Sequence, residues 1–308
     1  MEESILTYLQ KIKAKHQQST VKRYEYDLVQ FFSWLKSTGR SFQSIDDLHL
    51  YYTYLLDNQR YSKNSIRRVF AVLKQYFLFI GHKEAVKTIE ALIQEQHLIR
   101  KIEKSDILFP DDIHLLFQTF KSDKGLTDHQ KKFRHKFLYR NEMIINLMLN
   151  YGLSVQEIAN ITVNNIHFTS NMIGVQTRKQ QIRTISISKS DKESLYHYFL
   201  SIPEPIRPNR YDKHAFFIAF DYQRGTYRWN YTNDEPKALS VVAIQKMIRT
   251  EMRRAGLKKH YSASSLRKTY IFQQLLSGKS KEDLQKELAF KTTQPLDPYV
   301  RFIESLNE

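Results

Sequence analysis

Only 8 glycines and 7 prolines interrupt the 308 residues of this chain. Because these are the residues that most often end helices, a chain with so few of them is expected to form long helices. A length of 308 residues also exceeds what one small hydrophobic core organises, so two domains are expected. With 41% hydrophobic and 13% aromatic residues, the composition supports packed cores and argues against wholesale disorder.

The charge balance is strongly basic, with 48 Lys and Arg against 32 Asp and Glu and a formal net charge of +16. A basic surface collects polyanions by releasing their counterions, so nucleic acid is the predicted partner. The absence of cysteine excludes disulfides and thiolate metal sites. No signal-peptide core and no apolar run near the ~20 residues of a membrane span are visible, so we expect a soluble cytoplasmic protein associated with the nucleoid.

Residues 1–97 are predicted to form a helical domain. Apolar residues recur every three to four positions in three segments. The first segment begins after the capping residues Ser19 and Thr20, and the second covers residues 48–56. The third begins after an N-cap at Ser62 and ends at Gly81. The third helix carries four cations on its polar face without an intervening acid, which favours contact with phosphates. The predicted DNA-binding residues are Lys22, Arg23, Lys63, Arg67, Arg68 and Lys74.

A charged segment at residues 98–109, followed by Pro110, is predicted to be a linker to a second domain at residues 110–308. In that domain, residues 113–120 and 138–151 are predicted helices and residues 121–136 an exposed loop. Alternation around Ile173 and Val175, and again over residues 184–187, predicts a β-hairpin with a cationic turn at 178–183. Residues 203–229 are rich in aromatics and irregular, with no predicted role.

Arg267 and Tyr299 are the most informative polar residues of the C-terminal segment. An arginine binds a phosphate with a planar two-pronged fork. A tyrosine hydroxyl is one of the few side-chain nucleophiles that can form a covalent link to a substrate. On a strongly basic chain, this combination indicates double-stranded DNA as the partner. The alternative interpretation is that Arg267 is structural and that Tyr299 is an ordinary member of a set of 19 tyrosines.

In order along the chain, these segments resemble the tyrosine recombinase (phage integrase) family over almost the whole length. The N-terminal helices resemble the family's helical core-binding (SAM-like) domain. Five residues fit the family's first conserved box, namely Gly152, Leu153, Glu157, Ile158 and Thr162. The resemblance implies a mainly α fold with a small β-hairpin or sheet (α+β), in which a helical core-binding domain precedes a tyrosine-recombinase-like catalytic domain.

The resemblance also assigns catalytic positions. The conserved arginine and the tyrosine nucleophile fall on Arg267 and Tyr299, and the hairpin lysine falls on Arg178 with Lys179 beside it. Three positions depart from the family: Ser154 replaces an arginine, Ser264 a histidine, and Phe290 a histidine or tryptophan. Arg178 and Lys179 are equally well explained as exposed charges at a hairpin tip. Phe290 is expected to pack into the core.

Members of this family bind DNA as dimers or tetramers and cleave one strand at a time, through a 3′-phosphotyrosine and without metal or cofactor. Removing one preorganised electrostatic donor from such a site costs about 10²–10³ in rate. The three departures therefore predict a DNA-binding recombinase relative whose strand cleavage by Tyr299 is weak or lost. Two domains that clamp a duplex would also make its affinity steeply salt-dependent.

Two alternatives stay open. The first is an active site-specific recombinase with a variant charge set, in which Arg178, Lys179 and Arg267 are joined by a cation from Arg183 or His260. It predicts a covalent DNA adduct at Tyr299. The second is a helical DNA-binding regulator without enzymatic ancestry, which would not form one recombinase-like domain over residues 138–302.

Overall fold

The structure is a computed structural model of the chain, and it separates into two compact units, Met1–Ile99 and Arg100–Glu308. It describes residues 2–16, 18–42, 44–94, 101–177, 182–257 and 260–307. The predicted fold class is confirmed, because helices dominate both units and the strands are few and short. No helix in these described ranges is both long enough and apolar enough to cross a lipid bilayer.

The first unit is a bundle of helices around an aromatic-rich core. Its helices are α1 (Glu2–Lys13), α2 (Gln18–Ser37), α3 (Asp46–Asp57), α4 (Lys63–Phe79) and α5 (Lys83–Gln94). Phe31, Tyr51 and Phe77 are fully buried at its centre. The three predicted helices are confirmed, and the Ser62 side chain caps α4 by accepting from the Ser65 amide. The predicted start of α2 is wrong, because the helix already begins at Gln18.

The second unit contains the remaining described helices. These are α6 (Pro110–Thr119), α7 (Asp128–Phe133), α8 (Leu138–Asn150), α9 (Val155–Ala159), α10 (Lys189–Ser201), α11 (Val241–Arg254), α12 (Ala263–Leu276), α13 (Lys281–Glu287) and α14 (Asp297–Asn307). The central helix is α8, which is buried along most of its length and packs against α10 and α12. The predicted loop at 121–136 is partly wrong, because Thr127 caps the short helix α7 within it.

The main sheet has three antiparallel strands in the order β1 (Ile166–His167), β2 (Met172–Gln176) and β3 (Ile182–Ser186). The predicted hairpin is confirmed as β2 and β3, with Val175 opposite Arg183. Arg183 therefore belongs to a strand, although the sequence placed it in the turn. Two small hairpins follow. The first, β4 (Phe220–Asp221) with β5 (Thr226–Tyr227), lies within the segment predicted to be irregular. The second, β6 (Trp229–Asn230) with β7 (Glu235–Pro236), begins at the end of that segment.

Most of the predicted linker at 98–109 is packed into the second unit. Ile102, Ile107 and Leu108 are buried. The Leu108 amide donates to the Thr269 hydroxyl at 2.9 Å, and Lys268 forms an ion pair with Asp106. Residues 101–109 are therefore attached to helix α12, whereas residues 98–100 lie outside the described residues.

The turn between α8 and α9 requires a glycine. Gly152 has a φ of +65°, in the left-handed region that L side chains rarely adopt. A Cβ at this position would lie 2.5 Å from Cδ1 of Tyr270 and 2.9 Å from Cδ2 of Leu288. Both the backbone and the space therefore demand glycine, and the close approach brings the start of α9 against α12.

We predict that Gly152→Ala destabilises the second unit by about 2–4 kcal/mol, combining about 1–2 kcal/mol of backbone strain with an overpacking cost. The matched control is Gly278→Ala, where φ is +89° but no atom lies within 4 Å of the new Cβ. It is expected to cost only about 1 kcal/mol, since it carries the backbone strain alone.

The measurement is urea unfolding followed by tryptophan fluorescence. The chain has two tryptophans, so a Trp34→Phe background leaves Trp229 as the reporter of the second unit. Equal destabilisation by the two substitutions would show that the contact with Tyr270 does not constrain Gly152.

Candidate functional site

Two arginines from different elements share one buried carboxylate. Arg267 on α12 donates from Nη1 to Oε2 of Glu157 at 2.8 Å. Arg183 on β3 donates from Nε and Nη2 to Oε1 of the same residue, both at 3.3 Å. The side chains of Glu157, Arg183 and Arg267 are 9%, 11% and 18% exposed. Each carboxylate oxygen thus holds one guanidinium, and the two positive charges lie side by side.

A capping box at the start of α9 positions Glu157. The Ser154 hydroxyl accepts from the Glu157 amide at 3.2 Å, and the Glu157 carboxylate accepts from the Ser154 amide at 2.7 Å. This reciprocal pair satisfies two amides that an uncapped helix would leave without partners. Ser154 therefore serves as the N-cap of α9, and its neutral side chain contributes no positive charge.

The electrostatics of the cluster keep Glu157 ionised. Burial alone would raise the pKa of Glu157. The Arg267 guanidinium, the hydrogen bonds from Ser154 and the Arg183 guanidinium outweigh that effect and hold the pKa below its ordinary value. At neutral pH the three side chains therefore carry two positive charges and one negative charge.

Arg183 also binds the end of helix α13. Its Nη1 donates to the backbone oxygen of Glu287 at 2.8 Å. The Glu287 carboxylate accepts from the Tyr270 hydroxyl and from Lys279 Nζ, the latter at 2.5 Å. Burial, followed by the contact with Glu287, raises the pKa of Tyr270. Tyr270 is therefore a protonated donor that braces the site and is poorly suited to act as a nucleophile.

Phe290 covers one side of the arginine cluster. The Arg267 guanidinium carbon lies 5.6 Å from the centroid of the Phe290 ring, within the range of a cation–π contact. Phe290 is half-buried and packs against the neighbouring apolar cluster, as predicted. It follows Ala289, whose φ of +52° ends helix α13 in a left-handed turn.

Tyr299 lies on α14, which packs against α12. It is 7% exposed and belongs to the apolar cluster that also contains Tyr270, Leu284 and Leu288. The structure therefore brings the helix of Tyr299 to the helix that carries Arg267. In this state the phenol is largely covered.

The other predicted site residues are placed as follows. Ser264 is exposed in the first turn of α12, and its hydroxyl lies 2.9 Å from that of Ser262. His260 is exposed and contacts the Tyr261 ring edge-on. Arg178 and Lys179 lie outside the described residues. Within the described ranges, no group of three His, Cys, Asp or Glu residues is arranged to hold a metal ion.

Two of the predicted DNA-binding cations are held in ion pairs. Arg68 is bound to the buried Asp27, and Lys74 lies 2.6 Å from Glu90. The other four predicted residues are exposed: Lys22, Arg23, Lys63 and Arg67. The polar face of α4 is therefore less available to phosphates than its charge count suggests.

Sequence reasoning did not single out Glu157 as a site residue and named Arg183 only as an alternative cation. Two signals could have found them. A serine followed three residues later by a glutamate, as in Ser154 and Glu157, is the signature of a capping box. Arg183 lies in the same alternation as the buried Ile185, and a charge on the inward side of a strand requires a buried partner.

The chain matches two family models. The Phage integrase family matches residues 123–302. The N-terminal SAM-like domain of phage integrases matches residues 5–84. Among similar proteins, tyrosine recombinase XerC of Caldanaerobacter subterraneus is 25% identical over 291 residues, which cover 87% of this chain and 72% of that protein. XerC of Lacticaseibacillus casei is 22% identical over 222 residues, or 69% of this chain and 68% of that protein.

Solved structures show the same fold. The Tn1549 transposon integrase in complex with transposon right end DNA has a TM-score of 0.67 at 14% identity, over 96% of this chain and 94% of that chain. A lambda integrase dimer bound to a COC′ core site has a TM-score of 0.62 at 12% identity, over 97% of this chain and 94% of that chain.

We predict that Glu157→Gln destabilises the second unit by about 2–4 kcal/mol at pH 7, because an amide leaves two mostly buried guanidiniums without a charged acceptor. The lowered pKa of Glu157 means that its contribution is present above the ordinary value near 4.5 and is lost as the pH falls through the folded-state value. The variant should therefore lose less stability than the wild type on acidification below about pH 5.

The measurement is the unfolding free energy in urea between pH 3 and pH 7. The control is Lys131→Gln, which removes an exposed ion pair with Asp128 and should cost no more than about 0.5 kcal/mol. Parallel pH profiles for Glu157→Gln and the wild type would refute the assigned role of the carboxylate.

Proposed function

We propose that this chain, which belongs to the phage integrase family of tyrosine recombinases, binds double-stranded DNA and acts in DNA recombination. The observation that carries this proposal is the Arg183–Glu157–Arg267 cluster beside the helix of Tyr299. An arginine fork is suited to a phosphate oxygen, and a phenol is suited to attack phosphorus. The proposed location is the cytoplasm, in association with the nucleoid, where such a substrate lies.

The proposed reaction is a phosphoryl transfer to Tyr299. The phenol oxygen attacks a backbone phosphorus and loses its proton, while the bond from phosphorus to the 5′ oxygen breaks and that oxygen gains a proton. The product is a 3′-phosphotyrosine and a free 5′-hydroxyl. Attack by the 5′-hydroxyl of a partner strand then releases Tyr299 and joins the new strands, so the energy of the original bond is conserved.

We propose that cleavage is slow compared with a family member that carries the full set of charges. Ser154, Ser264 and Phe290 supply no positive charge to the transition state, and each missing donor costs about 10²–10³ in rate when its loss is independent. Tyr299 is also only 7% exposed, so little of its side chain is open to a substrate.

A recombinase that cleaves efficiently with a variant charge set is the second candidate. It is favoured by Arg183, which donates to the same Glu157 carboxylate as Arg267 and so brings a second positive charge to it. A regulator without recombinase ancestry is no longer tenable, because residues 123–302 match the Phage integrase family. We further propose that both units contact one duplex and that the chain acts as a dimer or tetramer on DNA.

We predict that the double variant Lys63→Gln, Arg67→Gln weakens duplex binding, because both side chains are exposed on one face of α4. The slope of log affinity against log salt should fall by about 2, at roughly 0.9 per phosphate contact. The matched control is Lys74→Gln, where Glu90 already neutralises the lysine, and its slope should stay that of the wild type.

Fluorescence anisotropy with a labelled duplex at several salt concentrations measures these slopes. A salt-independent affinity of the wild type would contradict the proposed backbone contact altogether. Equal effects of the double variant and Lys74→Gln would contradict the assignment of Lys63 and Arg67.

We predict a covalent adduct between Tyr299 and DNA. The substrate is a duplex that the purified chain selects from a randomised library. The duplex carries nicks, so the short strand released by cleavage diffuses away and the covalent intermediate is trapped. The adduct should form slowly with the wild type, disappear in Tyr299→Phe and persist in the control Tyr231→Phe, whose side chain is 88% exposed.

Denaturing electrophoresis and mass spectrometry of the linked peptide read out this experiment. An adduct that survives in Tyr299→Phe would exclude Tyr299 as the nucleophile. Adduct formation on the timescale of seconds would favour the second candidate, and its complete absence would restrict the function to DNA binding.

A further inference from the structure

We infer that Arg183 and Arg267 together bind a DNA phosphate, and that Arg183 supplies the positive charge that Ser154 lacks. This inference rests on the proposed function only for the source of the phosphate. It assigns a substrate-binding role to a strand residue, on the basis of the carboxylate that the two arginines share.

The geometry places two guanidiniums next to each other in a fixed arrangement. Glu157 holds Arg267 through one oxygen and Arg183 through the other, so the carboxylate sets the spacing of the two forks. Glu157 is itself fixed by Ser154 through the capping box, and Arg183 is fixed a second time by the Glu287 backbone oxygen. Preorganised donors of this kind need little rearrangement to bind an anion.

Arg183 has donors to offer. A guanidinium has five N–H groups. In the contacts of the described residues, Arg183 uses Nε and Nη2 for Glu157 and Nη1 for Glu287. One N–H on each terminal nitrogen therefore stays available for a phosphate oxygen.

The charge of the cluster favours an anion. Two guanidiniums and one carboxylate leave one positive charge among three side chains that are mostly removed from solvent. Coulomb attraction is stronger in such a low-dielectric setting than at the open surface. The ring of Phe290 lies over the Arg267 guanidinium on one side of the cluster. A second anion can be accommodated only because Arg183 adds its charge to that of Arg267.

The competing explanation is that Arg183 only connects β3 to α9 and α13. A purely structural arginine would affect stability and would leave the charge dependence of phosphate binding and of cleavage unchanged. The tests therefore compare charge-dependent readouts and include Arg183→Lys, which keeps the positive charge but loses the fork.

The first test uses inorganic phosphate and the full chain without DNA. The Nε–H resonances of Arg183 and Arg267 are followed by NMR during phosphate titration at constant ionic strength, and each signal is assigned from the corresponding Lys variant. We expect saturable shifts of both signals in the wild type. In Arg183→Gln and Arg267→Gln, phosphate should bind at least about 10-fold more weakly, as measured on the signal of the arginine that remains in each variant. The control Arg228→Gln removes a 52% exposed cation and should bind like the wild type.

The second test uses the selected duplex with either a phosphate or an uncharged methylphosphonate at the cleaved position. For each substrate, the defect is the fold loss in the rate of adduct formation of Arg183→Gln relative to the wild type. If Arg183 neutralises the charge of the phosphate, this loss should be at least about 10-fold smaller on methylphosphonate than on phosphate. Arg183→Lys should retain part of the activity on phosphate. Thermal unfolding of each variant identifies loss of folding.

An equal defect on both substrates would overturn the inference, as would phosphate binding by Arg183→Gln that matches the wild type. If the wild type forms no adduct with any duplex, the proposed cleavage fails. The phosphate titration then decides the role of Arg183 by itself, since it requires neither cleavage nor a known DNA sequence.

Discussion

The carboxylate of Glu157 is the interaction on which the second unit's site depends. It joins the start of α9, the strand β3 and the helix α12, since it accepts from Ser154, Arg183 and Arg267. Burial of a carboxylate is costly unless charged donors surround it, and here two guanidiniums meet that need. The same contacts that make the carboxylate stable in the interior also fix the side chains of Arg183 and Arg267.

Helix α12 gathers the surrounding elements onto this carboxylate. Arg267 reaches Glu157, Lys268 and Thr269 hold the segment at 101–109, and Tyr270 lies against Gly152 and binds Glu287. Four successive residues thus connect the helix to four different parts of the unit. A change in α12 is therefore expected to alter the site and the stability of the unit together. Ser154 belongs to the same network, because it caps α9 and so helps to fix the carboxylate that binds both guanidiniums.

Much of the architecture was predictable, because local periodicity decides where helices and hairpins form. The helices α2, α3 and α4 and the hairpin of β2 and β3 follow from apolar spacing, and Ser62 was identified as a cap from its residue type. The errors lie where local signals are weak. The charged segment at 101–109 has no strong apolar period, yet three of its four apolar residues are buried, and the segment contacts α12. Helix α7 is only six residues long and is hidden in a polar, basic stretch that favours a loop prediction.

The sequence by itself determined the family, the basic charge and the identity of the residues at positions 154, 264, 267, 290 and 299, because these depend on order and composition alone. Only the tertiary structure decided which charges act together. Residues 157, 183 and 267 are far apart in the chain, and no local pattern states that one carboxylate binds both arginines. Their contact requires the turn at Gly152 and the docking of β3 and α12 against α9, which arise from packing over the whole unit. In the same way, folding pairs Arg68 with Asp27 and Lys74 with Glu90, so a row of cations in the sequence becomes partly neutralised in the structure.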